Sequence, residues 1–305
     1  MIGEAIAALE RAGYKARAVP IEHMEELKRE LDRHYREGRL SEQIYRMFGH
    51  AFRFEVPAEL PDAKSVFIVS ARSPRVIFHV HWQGRKVPLH LPPTYAEYGF
   101  MRSRTLEALN DSLRQAGYTA VNARLPEKAI AVRSGLAIYG RNNITYIPGF
   151  GSTHRLAAFY SNAACESDSW GEPRLMERCE TCRACTNSCP TGAIHGDWVL
   201  IRAERCLCHL NEGPEEFPSW VDPAWHDSVV GCFHCQQVCP ENAAVLNNVV
   251  EGPEFSESET AAILKAKSAS DVSPEVLAKL KSLGLDVYMH AIARNMRVLL
   301  ERDTV

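Results

Sequence analysis

A run of closely spaced cysteines constrains this chain more than any other feature of its sequence. The run reads C-x2-C-x2-C-x3-C-P and comprises Cys179, Cys182, Cys185, Cys189 and Pro190. Bacterial ferredoxins ligate 4Fe–4S clusters with this spacing, in which three thiolates on a tight loop serve one cube and the fourth, before the proline, serves the other. The sequence therefore predicts two 4Fe–4S clusters.

A second, partial run lies downstream and supplies further ligands. It comprises Cys232, Cys235, Cys239 and Pro240, and it needs one more thiolate, which the pair Cys206 and Cys208 can provide. We expect one cluster to be held by Cys179, Cys182, Cys185 and Cys239. The other is expected on Cys189, Cys232, Cys235 and one cysteine of the pair. Cys165 and the remaining cysteine of the pair are then spare, and a spare cysteine is usually a small buried apolar residue.

Zinc sites and structural thiols are the alternatives to clusters. Zinc ribbons use two separated C-x2-C knuckles, not three cysteines at successive x2 spacing followed by x3-C-P. A disulfide scaffold would be shorter and richer in cysteine than this 305-residue chain, whose ten cysteines all lie between positions 165 and 239. The spacing favours iron–sulfur clusters over both alternatives.

The overall composition is that of a globular protein with little net charge. Lys and Arg number 35 and Asp and Glu 38, which gives a formal net charge of -3. This balance argues against an obvious basic nucleic-acid-binding protein and against an acidic tail. No apolar run approaches the roughly 18 residues that span a bilayer. The start of the chain lacks a basic-then-apolar leader, so we expect a cytoplasmic protein with no membrane partner.

Hydrophobic spacing predicts helices at both ends of the chain. We expect an opening amphipathic helix that ends at Gly13 and a helix over 101–116 whose apolar stripe contains Leu106, Leu109 and Leu113. After Pro240 the chain is expected to be helical again.

Strands are predicted between these helices. We expect strands over 64–70 and 76–82, followed by a loop where Pro88, Pro92 and Pro93 cluster. His79 and His81 share one face of the second strand. A metal-binding pair is one interpretation of the two histidines, but a solvated polar face is favoured.

A glycine-rich stretch precedes the cysteines. Four glycines fall within residues 135–151, interleaved with Tyr139, Arg141 and Asn142. Glycine lets the backbone approach a ligand closely, so the stretch could wrap a large planar molecule. Glycine content alone favours the simpler interpretation, a pair of turns that join strands.

The order of these motifs resembles the epoxyqueuosine reductase family. The matching stretches are Gly135-Leu136, Gly140-Arg141-Asn142, Gly151-Ser152, the first cysteine run extended to Ile194, Arg205-Cys206, and G-C-F-H-C-Q-Q-V-C-P-E-N from Gly231 to Asn242. They cover about residues 100–245, and the last stretch is the most specific. The family pattern has a single cysteine at the position of Cys206, so the resemblance implies Cys206 as the ligand and Cys208 as spare.

The resemblance also implies a fold and a second cofactor. The family, which is related to the reductive dehalogenases, joins an α/β (α+β) cobalamin-binding domain to a ferredoxin-like double 4Fe–4S domain. Here it implies a cobalamin-binding and substrate domain over 1–160, a double-cluster domain over 161–246 and a short helical C-terminal tail over 247–305. The corrinoid would be bound by Gly135, Tyr139, Gly140, Arg141, Asn142, Gly151 and Ser152. His154 could bind cobalt from below, although a lone histidine near a loop is more often a surface residue.

The implied reaction needs a proton donor. The family carries an acidic residue in a motif like V-D-T-x-P-x-x-E-R/K, whereas aligning Glu127-Lys128 with its end places Val121 or Asn122 at that position. Neither side chain can supply a proton at ordinary pH. The remaining candidates for the catalytic proton donor are Tyr139, Glu127, Tyr98 and Tyr95.

The resemblance implies an oxidoreductase that takes electrons from a ferredoxin or flavodoxin. The electrons would pass through the two clusters to the corrinoid, which reduces a bound substrate. The missing acid, a C-terminal region of only about 60 residues and the slight net negative charge argue against epoxyqueuosine and tRNA, and favour another small-molecule or nucleoside substrate. The alternatives are an electron-transfer or corrinoid-activating protein without its own substrate, and a plain ferredoxin module on an unrelated enzyme.

Overall fold

The computed structural model of the chain describes residues 1–96, 98–196 and 200–302, apart from the side chain of Tyr98. Packing divides the chain into two compact units. The first consists of Met1–Arg72, Gly99–Cys182 and Asp197–Leu200, and of its last segment only Leu200 is described; the second consists of Ser73–Tyr98, Arg183–Gly196 and Ile201–Val305. These units divide the chain at other places than the three consecutive domains inferred from the resemblance, which remain a prediction.

In the described residues the strands, in chain order, are β1 (Lys15–Pro20), β2 (Ser65–Arg72), β3 (Arg75–Trp82), β4 (Arg85–Leu91), β5 (Ala120–Asn122), β6 (Ile138–Tyr139), β7 (Thr145–Tyr146), β8 (His154–Ser161) and β9 (Val249–Phe255). The α-helices of the same residues are α1 (Ile2–Arg11), α2 (His23–Arg36), α3 (Glu42–Ala51), α4 (Tyr98–Arg114), α5 (Glu127–Arg133), α6 (Ala184–Ser188), α7 (Leu207–Glu212), α8 (His234–Gln237), α9 (Glu257–Lys265), α10 (Pro274–Ser282) and α11 (Met289–Arg302).

The first unit is built around an antiparallel sheet of strand order β1-β2-β8-β5. β2 is buried at every position but its last, which explains why its sequence is a nearly continuous apolar run. It confirms the strand predicted over 64–70. β1 and β8 flank it on either side and were not predicted. Because the neighbouring strands are antiparallel, this unit is of the α+β type.

Helices α2 and α5 cover the buried residues of this sheet. Val66, Ile68 and Tyr160 of the sheet share one core with Met24 of α2 and Ile130 of α5. The burial of such side chains contributes about 1.5–3 kcal/mol each. The core therefore fixes the start of α5, and with it the glycine-rich stretch that follows.

The two helices predicted in this unit are present. α1 begins at Ile2 and is followed by Gly13 at φ +90°, a left-handed conformation that favours glycine. α4 buries Leu109 and Leu113 of the predicted stripe.

The second unit contains a sheet of strand order β4-β3-β9, in which β3 is antiparallel to β4 and parallel to β9. β3 confirms the strand predicted over 76–82. The prediction of a loop at Pro88 was wrong, because Pro88 pairs with His79 within β4. β4 is an edge strand, where a proline leaves no ladder hydrogen bond unmade.

β9 was not predicted, since Gly252 and Pro253 interrupt its pattern of β-forming residues. A Cβ on Gly252 would stand 2.8 Å from the Cβ of Phe78, so close strand packing requires glycine here. The two histidines of β3 face acidic residues of β9. His81 Nε2 lies 2.5 Å from Glu254 Oε1, and His79 Nδ1 lies 3.7 Å from Glu251. They line a polar, partly solvated face, as the favoured interpretation has it.

Helices α9, α10 and α11 follow β9, as the predicted return to helix requires. α9 begins with a capping box formed by Ser256 and Glu259, and α10 begins at Pro274 with Ser273 as its N-cap. Their apolar faces share one core with β3, which contains Phe78, Ile263, Leu280 and Ile292. None of the helices in the described parts of the chain is both long enough and apolar enough to span a bilayer.

Candidate functional site

Both cysteine runs adopt the same local form. α6 carries Cys185 and α8 carries Cys235, and each helix is only one turn long. Cys189 and Cys239 follow with extended backbones, at φ -74°, ψ 109° and φ -73°, ψ 122°. A residue before proline is driven out of the helical region, so each Cys-Pro pair ends its helix. The repetition fits the internal symmetry expected of a double-cluster segment.

The compact units divide the predicted ligands unequally. The cysteines expected to hold the second cluster all lie in the second unit, and they are Cys189, Cys206, Cys232 and Cys235. Of the set expected for the first cluster, Cys179 and Cys182 lie in the first unit, while Cys185 and Cys239 lie in the second. Within the second unit, Ser188 donates a hydrogen bond from Oγ to the backbone oxygen of His234 at 3.3 Å, which joins the two cysteine-bearing helices.

The surroundings of Cys232 disfavour a thiolate unless a cation is bound to it. Burial first, and then the carboxylate of Asp227, raise the pKa of its thiol. Asp227 accepts the backbone N–H of Phe233 at 3.1 Å. The ligand atoms of Asp227, Cys232 and His234 all lie within 4.8 Å of one another, although Nε2 of His234 already hydrogen-bonds Trp225 O at 2.9 Å. A metal at Cys232 would stabilise the thiolate, so Cys232 fits the role of a cluster ligand.

Cys206 and Cys208 differ in their hydrogen bonds. A hydrogen bond from the Cys208 side chain, aided by the backbone N–H groups of Cys208 and His209, lowers the pKa of Cys206 to about 7. Donation to Cys206, together with burial, raises the pKa of Cys208. This asymmetry supports Cys206 as the thiolate ligand and Cys208 as a spare thiol.

The first glycine-rich loop is a tight hairpin between β6 and β7. A Cβ on Gly140 would stand 2.6 Å both from Oδ1 of Asn142 and from the ring of Tyr146. Asn142 donates from Nδ2 to the Tyr146 hydroxyl at 3.1 Å and accepts the backbone N–H of Ile144 at 3.2 Å. Close packing within the protein therefore explains the glycine at this position.

Arg141 connects this loop to the first cysteine. Its side chain is 2% exposed and donates a hydrogen bond to the backbone oxygen of Cys179. Both residues belong to the first compact unit. Arg141 thus fixes the hairpin against the start of the cysteine run, a role that its position in the sequence did not indicate.

The second glycine-rich loop is tied to the first by a buried histidine. His154 lies 3.0 Å from Thr145 Oγ1 through Nε2 and 3.1 Å from Gly151 O through Nδ1. Burial lowers the pKa of His154 to about 4, so the ring is neutral at pH 7. The expectation of a surface residue was wrong, and with both ring nitrogens engaged His154 is unsuited to bind cobalt.

The backbone is open at Gly135. It has φ +72°, and no atom lies within 4 Å of where a Cβ would stand there. Gly151 has φ +55°, but its backbone N–H and C=O both form hydrogen bonds with Ile147. Ser152 beside Gly151 is buried. Exposed glycine backbone fits a ligand held through main-chain contacts, so Gly135 fits such a role, while Gly140, Arg141 and Asn142 shape the loop.

Glu127 is the best-placed candidate proton donor. It begins α5, its side chain is 19% exposed, and it forms an ion pair with Arg102 at 2.8 Å. Burial raises its pKa, against the opposing effect of Arg155 and Arg102. Arg102 also donates from Nε to Asn122 Oδ1 at 2.9 Å, so Asn122, one of the two residues that the alignment places at the family's acid, is bound to the same guanidinium.

Sequence reasoning missed Arg102, although a signal was present. Arg102 lies four residues before Leu106 and so extends the apolar stripe of α4. A charged residue on a buried stripe usually has a partner, and here the partner is Glu127. The stripe predicts a paired charge at this end of α4, but not which acidic residue is its partner.

The tyrosine candidates lie in other settings. Tyr139 packs with Val132 and Leu175, and burial raises its pKa. Tyr95 is buried in the second unit, and the side chain of Tyr98 lies outside the described residues. Of the four candidates, Glu127 alone is described in contact with the guanidinium that also binds Asn122.

Comparison with known proteins adds to this geometry. Residues 178–242 match the family described as the 4Fe–4S double cluster binding domain. The epoxyqueuosine reductase of Staphylococcus aureus is 31% identical over 121 residues, which are 40% of this chain and 30% of that protein. The enzyme of that name from Atelocyanobacterium thalassa is 27% identical over 199 residues, 62% of each. The chain spans only 30–43% of the first four curated relatives that it matches.

The likeness in fold extends further than the likeness in sequence. The epoxyqueuosine reductase of Streptococcus thermophilus superposes with a TM-score of 0.65 at 17% identity, over 98% of this chain and 80% of that one. An epoxyqueuosine reductase crystallised with an epoxyqueuosine-modified tRNA-Tyr stem loop gives a TM-score of 0.67 at 21% identity, over the same shares. The mixed fold with a double-cluster segment is therefore that of these proteins. By sequence over the cysteine-rich segment and by fold over nearly its whole length, the chain resembles the epoxyqueuosine reductases.

Proposed function

We propose that this protein is a cobalamin-dependent iron–sulfur reductase. The observation that carries the proposal is the combination, in one chain, of a double-cluster segment over 178–242 and the fold of epoxyqueuosine reductase over 98% of its length. Relatives that bear this name are reductases, and their likeness supports an oxidoreductase here. The substrate class is a small molecule or a nucleoside.

The cysteines carry the electron path in this proposal. Cys179, Cys182, Cys185 and Cys239 hold one cluster, and Cys189, Cys206, Cys232 and Cys235 hold the other. A ferredoxin or flavodoxin supplies the electrons. The buried setting of Cys232 and the hydrogen bonds to Cys206 support thiolate ligands at these positions, because burial and hydrogen bonds to sulfur set the potential of such clusters.

The glycine-rich loops hold the corrinoid. When bound, cobalamin supplies the low-potential metal centre that reduces the substrate. Gly135 offers open backbone, and Gly151 has a left-handed backbone with the buried Ser152 next to it in sequence. Arg141 keeps the loop against Cys179, and His154 joins the two loops. These contacts hold the loops rigid, which lowers the cost of ordering them on binding.

Glu127 carries the proton in this proposal. Its pKa is raised by burial, so its carboxyl group keeps a proton to higher pH than an exposed glutamate does. Arg102 orients it and balances its charge after proton transfer. Neither Val121 nor Asn122 can replace the family's acid, which supports a substrate other than epoxyqueuosine.

The missing acid also favours a second candidate function. A corrinoid-handling or electron-transfer protein without its own substrate needs no acid at this position. Its electrons would go to a corrinoid on a partner. Anaerobic titration with a corrinoid protein would then give stoichiometric electron delivery without product.

The test is anaerobic reconstitution with iron, sulfide and cobalamin, followed by assay with an epoxyqueuosine-modified tRNA stem loop. We expect two clusters and bound cobalamin with little or no turnover of epoxyqueuosine in the native chain. The Val121→Asp and Asn122→Asp variants each place an acid at one of the two aligned positions, and one of them should gain turnover if the substrate pocket is otherwise that of the relatives. Absence of cobalamin binding in the cluster-loaded protein would contradict the proposal.

A further inference from the structure

A buried threonine hydroxyl lies beside one of the predicted cluster ligands. Oγ1 of Thr191 is 3.6 Å from Sγ of Cys189, and Thr191 is only 4% exposed. Within the described parts of the chain, this sulfur is the one hydrogen-bond partner of the hydroxyl. The proposed reaction assigns no role to Thr191.

A tight turn directly after Cys189 brings the hydroxyl back to the sulfur. Pro190 follows Cys189, and the backbone N–H of Gly192 donates to Cys189 O at 3.2 Å. Gly192 has φ +63°, a left-handed conformation that favours glycine. Thr191 lies inside this turn, so the backbone itself keeps its hydroxyl within reach of Sγ.

Arg205 holds the same turn from the loop that carries Cys206. It donates from Nε to Thr191 O at 3.2 Å, and its guanidinium lies over the ring of Trp220, 4.6 Å from the centroid. All of these residues belong to the second compact unit. Since Cys189 and Cys206 are predicted ligands of the same cluster, Arg205 fixes the hydroxyl relative to two ligand loops.

The other cysteine run lacks a hydroxyl at the equivalent position. Both runs end in Cys-Pro, and the next residue is Thr191 in the first run and Glu241 in the second. Thr191 is buried, whereas Glu241 is exposed. Because Cys239 of the second run is the predicted ligand of the first cluster, the buried hydroxyl distinguishes the surroundings of the two clusters.

A cysteine that ligates iron is a thiolate without a hydrogen, so the hydroxyl is the donor of this pair when a cluster is bound. We propose that Thr191 donates a hydrogen bond to the thiolate of Cys189 and thereby raises the reduction potential of the second cluster. Thr191 acts through Cys189 and is therefore a positioning residue. Reduction adds negative charge to the cluster, and a hydrogen bond to a ligand sulfur stabilises that charge. The inference rests on the proposed function only in requiring that cluster.

The experiment is an anaerobic redox titration of the reconstituted full chain, followed by electron paramagnetic resonance, with iron and sulfide analysis of each sample. Thr191→Val removes the hydroxyl and keeps the branched shape of the side chain, while Thr191→Ser keeps a hydroxyl. Thr181→Val is the matched control, since it makes the same chemical change at an exposed position of the same cysteine run.

We expect all three variants to keep the iron and sulfide content of the native protein. In Thr191→Val one of the two clusters should shift to a lower potential, by about two- to tenfold in its reduction equilibrium, where tenfold corresponds to about 59 mV for one electron. Thr191→Ser and Thr181→Val should leave both potentials near their native values. Combined with Cys239→Ala, which should keep only the second cluster, Thr191→Val should still shift the cluster that remains.

Several results would overturn the inference, and they have different meanings. Unchanged potentials in Thr191→Val would show that the hydroxyl does not tune a cluster, and an equal shift in Thr191→Ser would assign the effect to packing. Loss of iron in Thr191→Val would make Thr191 necessary for assembly of the cluster instead. A shift that disappears in the Cys239→Ala background would belong to the first cluster. A native protein that holds no clusters would refute the proposed function as well, and iron analysis alone reveals that case.

Discussion

The cysteine-bearing segment would bind a ligand through its side chains, whereas the glycine-rich loops would bind one through the backbone. In the segment the donors are side chains, and the runs around Cys185 and Cys235 take the same local form. In the loops the backbone is exposed at Gly135, while Gly140 is closed by the ring of Tyr146. The spacing of the cysteines alone indicates the kind of site, because few sites other than 4Fe–4S clusters use it. Exposed glycine backbone indicates a ligand site only when the surrounding residues also fit a ligand.

The two regions should therefore respond differently to substitution. Loss of a side-chain donor removes a bond that no neighbour replaces, so a change in the cysteine segment should be nearly all-or-none. A change in the loops should lower stability or cobalamin binding only in part, through backbone strain or through close contacts. The predictions that follow are ordered by the expected size of the effect.

The largest effect is expected from Cys239→Ala. If Cys239 is the fourth ligand of the cluster on the first run, its loss should remove that cluster and about half of the bound iron, with complete loss of reductase activity. Iron and sulfide analysis after anaerobic purification measures this. Cys165→Ala is the control and should keep its iron. Full iron content in Cys239→Ala would show that the two runs do not exchange their last ligands.

Glu127→Gln tests the chemistry next to the loops. Loss of a general acid typically lowers the rate about 10²–10⁴-fold. Because burial raises the pKa of Glu127, the active, protonated form is present below that pKa, and activity should fall as pH rises through it. The variant should lose this pH-dependent limb while still binding cobalamin. An unchanged profile of activity against pH would exclude Glu127 as the donor.

Gly140→Ala tests the closed part of the loops. The added Cβ would stand 2.6 Å from Asn142 Oδ1 and from the Tyr146 ring, and overpacking of this kind costs about 1–3 kcal/mol. We expect a lower free energy of unfolding by chemical denaturation. A second substitution, Tyr146→Leu, should recover part of the loss, because it removes the ring. A fully stable Gly140→Ala variant would mean that the hairpin is not closely packed.

The smallest effect on stability is expected from Gly151→Ala. The left-handed backbone of Gly151 at φ +55° opposes the added Cβ, at a cost of about 1 kcal/mol. If the second loop contacts the corrinoid, cobalamin binding should weaken more than stability does. Absorbance titration with cobalamin measures the binding. Native affinity in this variant would place the corrinoid away from the second loop.

The same contrast explains what could be predicted from the sequence. The double-cluster segment and the helices α1, α4 and α9 could be predicted, because cysteine spacing and helix signals act over a few positions. Strand β9 was not, since Gly252 and Pro253 hide it and its pairing with β3 spans more than 160 positions. The prediction of a proline-rich loop was wrong at Pro88, because an edge strand tolerates proline, which usually breaks a strand.

The contacts of the candidate site residues could not be predicted either where they join distant positions. Glu127 was a candidate from its motif, but its partner Arg102 lies on another element and became evident only from the fold. His154 was expected at the surface, because nothing in the local sequence reveals that Thr145 and Gly151 enclose it. Contacts between distant positions depend on tertiary packing, which hydrophobic spacing does not encode at the level of single side chains.

The central claim is that one chain holds two iron–sulfur clusters and a corrinoid. The most direct measurement is the anaerobic visible spectrum of the iron- and sulfide-reconstituted protein, before and after titration with cobalamin and removal of the unbound excess, together with iron analysis. We predict about eight irons per chain, as two 4Fe–4S clusters require, and a retained corrin absorption. Zinc in place of iron, or clusters without retained corrin, would contradict the account.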